Sequence, residues 1–389
     1  MEEVKVPIDV EVPILSEREW PQLATGDQHT IFVDTNNRVW GCGKNETGEL
    51  GLEELFYSVP TQLNVLMDVH SVAVGRLHTI LLDFNGRVFT SGAFLQNGHT
   101  LPAKQEQSFI NKFKMLANIP LIQAIAAGIQ HSLLLSCQGQ VYTFGNNSYG
   151  QLGHSHYMAS PARISVEEKI VSIVAGYFHT LLLDDKGQVW ATGSNSHGQL
   201  GLGNIMRRKF PERIVFDQLV RSIHAQGNHS AIVVDEENIY TFGSNLCGQL
   251  GVAVNDLYPK QLELPSKVQG LPPISTVCLA PIHSFFIDFS GHLWMCGGTS
   301  QMSANLGLGY DTQTIPLPKC VGDDLPLIRR ISVGGCYTMF IDYDDNLWAC
   351  GQNNNGQLGL GDTQPRTKPE LVSTPPLHYL KPVKSASNV

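Results

Sequence analysis

Short apolar runs alternate with turn residues along almost the whole chain. In residues 175–203, AGYFHTLLLDDKGQVWATGSNSHGQLGLG, the runs HTLLLDD and QVWATG are joined by DDKG, an Asp/Gly turn of the kind that closes β-hairpins. A third apolar run, VSIVAG, precedes them, and the proline-led run PERI follows the glycine-rich loop. A proline at the first residue of a strand removes no ladder hydrogen bond. The pattern therefore predicts four short strands, the fourth opening on proline, and no long helix.

The same pattern recurs seven times, at spacings of 48 to 54 residues. Each unit has an anchor residue at the start of its second apolar run, an aromatic residue eleven positions later and a glycine fourteen positions later. Six units then carry a triplet similar to QLG, which the second unit lacks. The anchors are His29, His78, His131, His179, His229, His283 and Tyr337. Seven units of four strands predict an all-β fold, a seven-bladed β-propeller of four-stranded blades.

The first residues of the chain predict how the ring of blades closes. Every even position from Val4 to Ile14 is apolar, and two prolines confine such a strand to the edge of a sheet. We predict that residues 1–15 form a strand that pairs with the last blade and closes the ring. The propeller would then span residues 16–375, and residues 376–389 would form a flexible tail.

Charge and hydropathy narrow the classes of function. The 389 residues carry a net charge of −9, with an isoelectric point of about 5.8, which opposes direct binding to nucleic acid. No apolar run reaches 18 residues and no secretory signal precedes the first unit, so the sequence predicts neither a membrane span nor secretion. We expect a monomer in the cytoplasm, with the nucleus as a second location.

The repeated histidines and the cysteines predict structure and not chemistry. Equivalent positions of seven blades are spread around a ring, so the six anchor histidines cannot converge on one metal ion. The eight cysteines include no CxxC pair, and Cys42, Cys296 and Cys350 occupy one strand position, where a buried cysteine acts as a small hydrophobe. No phosphate-binding loop, HExxH or GxSxG motif occurs. The sequence therefore predicts no catalytic residue, no metal and no cofactor.

The positions that vary between units are candidates for recognition. Two residues precede each anchor after a position that is Gly or Ala in six units and Gln226 in the fifth, in loops that share one face of the ring. In units two to four these pairs hold arginine, aliphatic and aromatic residues, which is the composition of protein-binding hot spots. The alternative is that Leu77, Ile129 and Phe178 only plug the mouth of the central channel. The predicted partner-binding residues in these pairs are Asp27, Arg76, Leu77, Ile129, Gln130, Tyr177, Phe178 and Asn228.

The second unit has a further candidate, because the segment 92–120 replaces its QLG loop. Its lysines, Lys104, Lys112 and Lys114, give an otherwise acidic protein a local positive edge that could steer an acidic partner. The alternative is a surface insertion without a function in binding.

The repeat resembles that of the regulator of chromosome condensation family. The resemblance rests on the Gly-x-x-His-Ser/Thr entry to the units and on the loops GSNSHGQLGLG and GQNNNGQLGLGD, and it covers residues 16 to about 375. It implies the seven-bladed propeller but leaves the function open, since the family includes exchange factors, chromatin binders, ubiquitin-ligase modules and inhibitors. In the family's Ran exchange factors the positions before the anchors hold acidic residues and a histidine that contact the GTPase. Asp27 is the acidic residue at these positions here.

The stretch GRVFTSGAFLQNG resembles the part of the exchange factors that projects a β-wedge against the GTPase. Phe94, Asn97 and Gly98 match this wedge, while Leu95 and Gln96 replace its usual charged pair. Two hypotheses follow. The chain regulates a small GTPase, Ran-like or Rab-like, at most as a guanine nucleotide exchange factor without covalent chemistry. Alternatively, it is a non-catalytic propeller scaffold that binds another protein, including a pathogen effector that acts on host proteins.

Overall fold

The computed structural model describes residues 22–34, 36–93, 97–99, 109–253, 258–298, 314–321 and 325–372. These residues form seven four-stranded antiparallel sheets, each made of strands that are consecutive in sequence. Blade 1 comprises β1 (Gln22–Thr25), β2 (His29–Val33), β3 (Val39–Lys44) and β4 (Phe56–Gln62). Blade 2 comprises β5 (Val69–Val74), β6 (His78–Asp83), β7 (Val88–Ala93) and β8 (Phe109–Met115). Blade 3 comprises β9 (Ile122–Ala127), β10 (His131–Ser136), β11 (Val141–Gly145) and β12 (Met158–Arg163).

The other four blades repeat this order. Blade 4 comprises β13 (Ile170–Ala175), β14 (His179–Asp184), β15 (Val189–Gly193) and β16 (Arg208–Arg213). Blade 5 comprises β17 (Ser222–Gln226), β18 (His229–Val233), β19 (Ile239–Ser244) and β20 (Gln261–Lys267). Blade 6 comprises β21 (Ile274–Leu279), β22 (His283–Asp288), β23 (Leu293–Gly297) and β24 (Ile315–Val321), and blade 7 comprises β25 (Ile328–Val333), β26 (Tyr337–Asp342), β27 (Leu347–Gly351) and β28 (Arg366–Leu371). The predicted all-β, seven-bladed propeller is confirmed.

The antiparallel order divides the connections between two faces. The connections from first to second strand and from third to fourth strand lie on one face, which we call the anchor face because it carries the Gly-x-x-His loops. The hairpins from second to third strand and the connections to the next blade lie on the opposite, hairpin face. Apolar clusters fill the spaces between neighbouring blades, as where Leu133 and Leu135 of blade 3 pack with Ile173 and Leu182 of blade 4. The core therefore lies between blades.

Five of the six anchor histidines bond their blade to the next. Their Nε2 atoms lie 2.9–3.2 Å from the Ser or Thr hydroxyl that follows the next anchor. The pairs are His29–Thr79, His78–Ser132, His131–Thr180, His179–Ser230 and His229–Ser284. At the sixth junction, between blades 6 and 7, His283 Nε2 and Thr338 Oγ1 are buried without a hydrogen-bond partner among the described residues. The structural function predicted for these histidines agrees with this arrangement.

The proton on these histidines follows from the bonds of the hydroxyls. Thr180, Ser230 and Ser284 each donate to a main-chain carbonyl, at 2.6–2.8 Å, so their oxygens accept from the histidine and place its proton on Nε2. Burial lowers the pKa of His29, His78, His179, His229 and His283 to about 3 and that of His131 to about 4. The rings therefore stay neutral at physiological pH.

Two glycine positions explain the fixed spacing of the repeat. A Cβ on Gly176, three residues before the anchor, would lie 2.0 Å from Cε1 of His179. A Cβ on Gly193, fourteen residues after it, would lie 2.5 Å from the Phe178 carbonyl oxygen, and the φ of +112° is one that only glycine adopts easily. Both glycines let the anchor loop pack without a gap.

The ring closes between blades 7 and 1. Tyr337 takes the place of a histidine there: its hydroxyl donates to the main-chain oxygen of His29 at 2.7 Å and lies 3.0 Å from Thr30 Oγ1. The hydroxyls of Thr25 and Ser332 meet at 2.8 Å. Blade 7 has four consecutive strands among the described residues. The predicted closing strand, residues 1–15, and the predicted tail, residues 376–389, lie outside them.

The prediction that proline opens the fourth strand is wrong. In the fourth strands the prolines lie inside the strand, each at the last residue of a bulge where the register against the third strand shifts. These residues are Pro60, Pro161, Pro211, Pro265, Pro318 and Pro369. A bulged residue on an edge strand forms no ladder bond, so the missing N–H costs nothing there. Five of the fourth strands therefore begin three or four residues before the proline predicted to open them, whereas in blade 5 the predicted proline, Pro259, lies two residues before β20.

Candidate partner-binding site

The Gly-x-x-His loops have a fixed main chain and variable side chains. The carbonyl of the residue before each anchor accepts a bond from the residue after the +14 glycine, as Phe178 O does from Ser194 N at 2.8 Å. Neighbouring loops are also joined, by Tyr177 N to Gly227 O at 2.9 Å and by Arg76 N to Ile129 O at 3.3 Å. The seven loops form a preorganised rim around the mouth of the channel, on which side chains can change without disturbing the fold.

Side chains from four blades meet across this mouth. Arg76 Nε of blade 2 pairs with Asp27 Oδ2 of blade 1 at 3.3 Å, and both side chains are partly exposed. Tyr177 of blade 4 is half-buried and lines the same cavity as this pair: burial raises the pKa of its hydroxyl, and Asp27 and Cys336 raise it further while Arg76 lowers it. Tyr177 therefore reaches across the channel and partly closes it.

The structure separates the predicted residues into an inner and an outer group. Asp27, Arg76, Ile129 and Tyr177 line one small cavity of about 40 Å³, which holds very few water molecules and no organic ligand. Leu77, Gln130, Phe178 and Asn228 are half-buried at the next position in the same loops. The alternative that Ile129 plugs the mouth agrees with this lining, whereas Leu77 and Phe178 do not line the cavity.

Phe178 has a partner that the sequence did not reveal. Its ring lies 5.0 Å from that of Tyr149, which belongs to the QLG-type loop of blade 3 and is 43% exposed. Tyr177 completes the group, with its ring 6.4 Å from that of Phe178. The residue before the first glycine of a QLG-type loop meets the next blade elsewhere too, since Thr47 Oγ1 lies 3.5 Å from Leu77 O. This equivalence could have identified Tyr149, because the loop packs on the following blade.

The predicted wedge of blade 2 is described only in part. Phe94, Leu95 and Gln96 lie outside the described residues. Asn97 is fully buried, donates from Nδ2 to Gly92 O at 2.9 Å, and its own carbonyl accepts from Thr90 Oγ1 at 2.6 Å. Leu152 and Leu250 of the QLG loops accept the equivalent bonds from Thr143 and Thr241.

Asn97 and Gly98 thus occupy the Leu-Gly positions of the triplet, although the second unit lacks the QLG-like sequence. A Cβ on Gly98 would touch Phe144 of the next blade at 3.0 Å, as one on Gly201 would touch Phe242. The side chain of Asn97 is therefore part of the fold of blade 2 and does not face a partner.

The other residues of the blade 2 insertion are in part exposed and in part buried in the core. Lys112 and Lys114 are exposed on β8, as the predicted positive edge requires. Phe113 packs against Gly51 of blade 1 and belongs to the core between blades 1 and 2. Lys104 lies outside the described residues.

The titratable groups of the described residues form no cluster of three or more His, Cys, Asp or Glu that could hold a metal ion. Cys42, Cys296 and Cys350 are buried and form no disulfide, and burial raises the pKa of Cys42 and Cys296 to about 12. Across the described ranges, no helix is long and apolar enough to cross a membrane. On the anchor face, the described groups include the ion pair of Asp27 with Arg76 and the rings of Tyr149, Tyr177 and Phe178.

Comparisons with known proteins agree with the fold. The family model for the RCC1-like domain matches residues 96–388, and models for the regulator of chromosome condensation (RCC1) repeat match residues 22–49 and 36–82. The human probable E3 ubiquitin-protein ligase HERC6 is 35% identical over 155 residues, which are 38% of this chain and 15% of that protein. The X-linked retinitis pigmentosa GTPase regulator of Canis lupus familiaris is 31% identical over 134 residues, 34% of this chain and 13% of that protein.

A solved structure extends the comparison to most of the chain. Prp20p of Saccharomyces cerevisiae, a protein described by its binding to Gsp1p and histones, superposes with a TM-score of 0.74 at 22% identity, over 83% of each chain. The matched segments span under a sixth of the two curated relatives, so these comparisons establish the repeat and the propeller.

Proposed function

Because the chain belongs to the regulator of chromosome condensation family, we propose that it is a protein-binding propeller whose anchor face grips a small GTPase of the Ran or Rab class. The observation that carries the proposal is the preorganised mouth of the channel in blades 1 to 4. Main-chain bonds between blades fix its loops, while Asp27, Arg76 and Phe178 present charge and aromatic surface to solvent. Rigid loops with arginine and aromatic residues are typical of protein-binding hot spots.

The relatives support this class of partner. One matched relative is by name a GTPase regulator, and Prp20p is described by its binding to Gsp1p. Asp27 adds support from the residues, since the exchange factors of the family hold acidic side chains at positions of this kind. We place the activity in the cytoplasm, with the nucleus as the second location to test.

Guanine nucleotide exchange is the finer form of the proposal. It requires no covalent step, because the propeller need only bind the nucleotide-free GTPase well enough to displace the nucleotide. A nucleotide held at nanomolar to picomolar strength is worth about 12–16 kcal/mol, so the contact must be extensive. The inner cavity is too small for a large side chain, so the partner would rest on the rim of the mouth.

A second candidate is a scaffold that binds another protein without exchange. The ion pair between Arg76 and Asp27 favours it, because the two charges at the mouth already satisfy each other at 3.3 Å. The burial of Asn97 also favours it, since one of the residues that resemble the family's wedge is committed to the fold.

The test is a panel of Ran and Rab GTPases loaded with a fluorescent nucleotide. The proposal expects the propeller to accelerate release from at least one member, or to capture a nucleotide-free member. Phe178→Ala should weaken the effect, while Phe289→Ala, which removes a ring that is 63% exposed on the hairpin face, should leave it unchanged. No acceleration and no capture across the panel would reject the GTPase and leave the scaffold.

A further inference from the structure

We propose that the binding site extends outward along blades 3 and 4 and that this outer part takes an acidic, extended segment of the partner. The inference rests on the proposed function, because it continues the same anchor face. The outer part of the site specifies the chemistry of the partner segment, which the mouth of the channel leaves open.

The first step is the continuity of the surface from the channel to the rim. Phe178 at the mouth contacts Tyr149 in the blade 3 loop, at 5.0 Å between rings. The neighbouring Ser148 accepts a hydrogen bond from Arg207 Nη1 at 3.3 Å through its main-chain oxygen. The same loop approaches β16 closely, since a Cβ on Gly150 would lie 2.4 Å from Arg208 O. One loop therefore joins the aromatic group at the mouth to the basic start of β16.

The second step is the charge of that rim. The stretch NIMRRKF, residues 204–210, has three cations and no acidic residue in a protein of net charge −9. Arg208 is engaged with Glu212. Arg207 and Lys209 are exposed, and neither has an ion-pair partner among the described residues. Two free cations thus remain beside the exposed aromatic ring of Tyr149.

The exposed cations of β16 have two possible functions, binding a partner or protecting the edge of the sheet from pairing with another strand. Lys and Arg on outer strands prevent edge-to-edge pairing of propellers, and most outer strands here carry them. Protection of the sheet edge requires only charged side chains. Beside the cations of this strand, however, the side chains of Met206 and Phe210 are 66% and 57% exposed. Apolar side chains beside unpaired cations favour a ligand that carries both carboxylates and an apolar residue.

The occupant is therefore an extended segment rich in Asp and Glu with one aromatic residue. Its aromatic ring would pack on Tyr149 and Phe178, and its carboxylates would pair with Arg207 and Lys209. An extended segment can contact the aromatic pair and the cations together, because the blade 3 loop joins the two.

The experiment measures binding of a labelled probe to the full chain by fluorescence anisotropy at low and physiological salt. The probe is a synthetic peptide, (Asp-Glu)3-Phe-(Asp-Glu)3, compared with the same peptide carrying Ala for Phe and with a Lys-based peptide of equal length. We expect the aromatic acidic peptide to bind with a Kd below 200 μM, the Ala peptide to bind at least 3-fold more weakly, and the basic peptide not to bind.

Variants locate the site. Arg207→Glu with Lys209→Glu should weaken the acidic peptide at least 10-fold, and Tyr149→Ala should remove the advantage of the Phe peptide over the Ala peptide. The matched control is Arg163→Glu with Lys368→Glu, the same charge change at exposed positions of β12 and β28, with less than a 2-fold effect. Absence of binding, equal binding of the basic peptide, or equal losses in both double variants would overturn the inference.

The same variants keep this result distinct from the proposed function. If a GTPase is captured and Arg207→Glu with Lys209→Glu changes nothing, the outer site is wrong while the GTPase proposal stands. If the peptide binds as expected and no GTPase is captured, the outer site stands and serves another protein.

Discussion

The unpaired sixth junction predicts opposite effects for two chemically identical substitutions. The hydroxyl of Thr180 accepts from His131 Nε2 at 3.2 Å and donates to Gln151 O at 2.8 Å. Thr338 is the equivalent residue in blade 7, is buried like Thr180, and its hydroxyl has no partner among the described residues. Valine has the shape of threonine, so replacing each hydroxyl by a methyl group isolates the hydrogen bonds from the packing.

The change in the free energy of unfolding depends on which buried polar groups each substitution leaves without a hydrogen bond. Thr180→Val leaves two buried polar groups unpaired, the histidine N–H and the carbonyl, and each unpaired group costs about 1–3 kcal/mol. We expect a loss of about 2–6 kcal/mol in the free energy of unfolding. Thr338→Val removes a hydroxyl that is already unpaired, so the free energy of unfolding should stay constant or rise by up to about 1 kcal/mol.

Urea unfolding followed by tryptophan fluorescence measures both variants, with an unchanged m-value as the control for a constant folded state. Equal losses in the two variants would refute the distinction between the junctions. A loss below about 0.5 kcal/mol for Thr180→Val would show that the histidine belt contributes little to stability.

Three further predictions concern pH, backbone and the mouth of the channel. The six anchor histidines have pKa values of about 3–4 when folded, against 6.5 unfolded, so their contribution is complete above pH 6.5 and is lost as the pH falls towards 4. Below pH 6.5 each histidine lowers the free energy of unfolding by about 1.4 kcal/mol per pH unit, so the six together lower it by about 8 kcal/mol at pH 5.5. The Tm should therefore fall steeply between pH 6.5 and pH 5, and a flat Tm would contradict the burial of these rings. Gly193→Ala should lower the free energy of unfolding by about 3 kcal/mol or more, because the added Cβ would meet the Phe178 carbonyl oxygen. Gly270→Ala is the control: its φ is +74° and an added Cβ would have no atom within 4 Å, so the loss should be about 1 kcal/mol. Similar losses of the two variants in urea unfolding would refute the steric explanation. Arg76→Glu should weaken partner binding by about 2 kcal/mol, measured by calorimetry, with little change in Tm because the ion pair is exposed, and a lowered Tm with intact binding would make it a packing residue.

The fold was predictable because the repeat constrains it seven times. The anchors, the glycines fourteen residues later and the apolar runs each satisfy one local requirement, and every unit shows the same ones. The start of the fourth strands was not predictable in this way, since Pro211 and its equivalents sit in a bulge whose extra residues leave no signature in the hydrophobic pattern.

The candidate site was predictable only as a set of loops. Sequence position identified Asp27, Arg76 and Phe178, because variable residues stand out against an invariant frame. It missed Tyr149, whose contact with Phe178 joins two blades, and it could not show that Asn97 is buried in the place of a leucine. Those assignments depend on how a loop packs on its neighbour, which spacing alone does not specify.

The most direct test of the central claim is the affinity of the immobilised full chain for nucleotide-free GTPases, measured for wild type, Phe178→Ala and Phe289→Ala. Binding at the anchor face predicts submicromolar affinity for at least one GTPase, a loss of tenfold or more for Phe178→Ala, and wild-type affinity for Phe289→Ala. If the affinity falls in Phe289→Ala while Phe178→Ala binds like wild type, the partner sits on the hairpin face and the account of the anchor face is wrong.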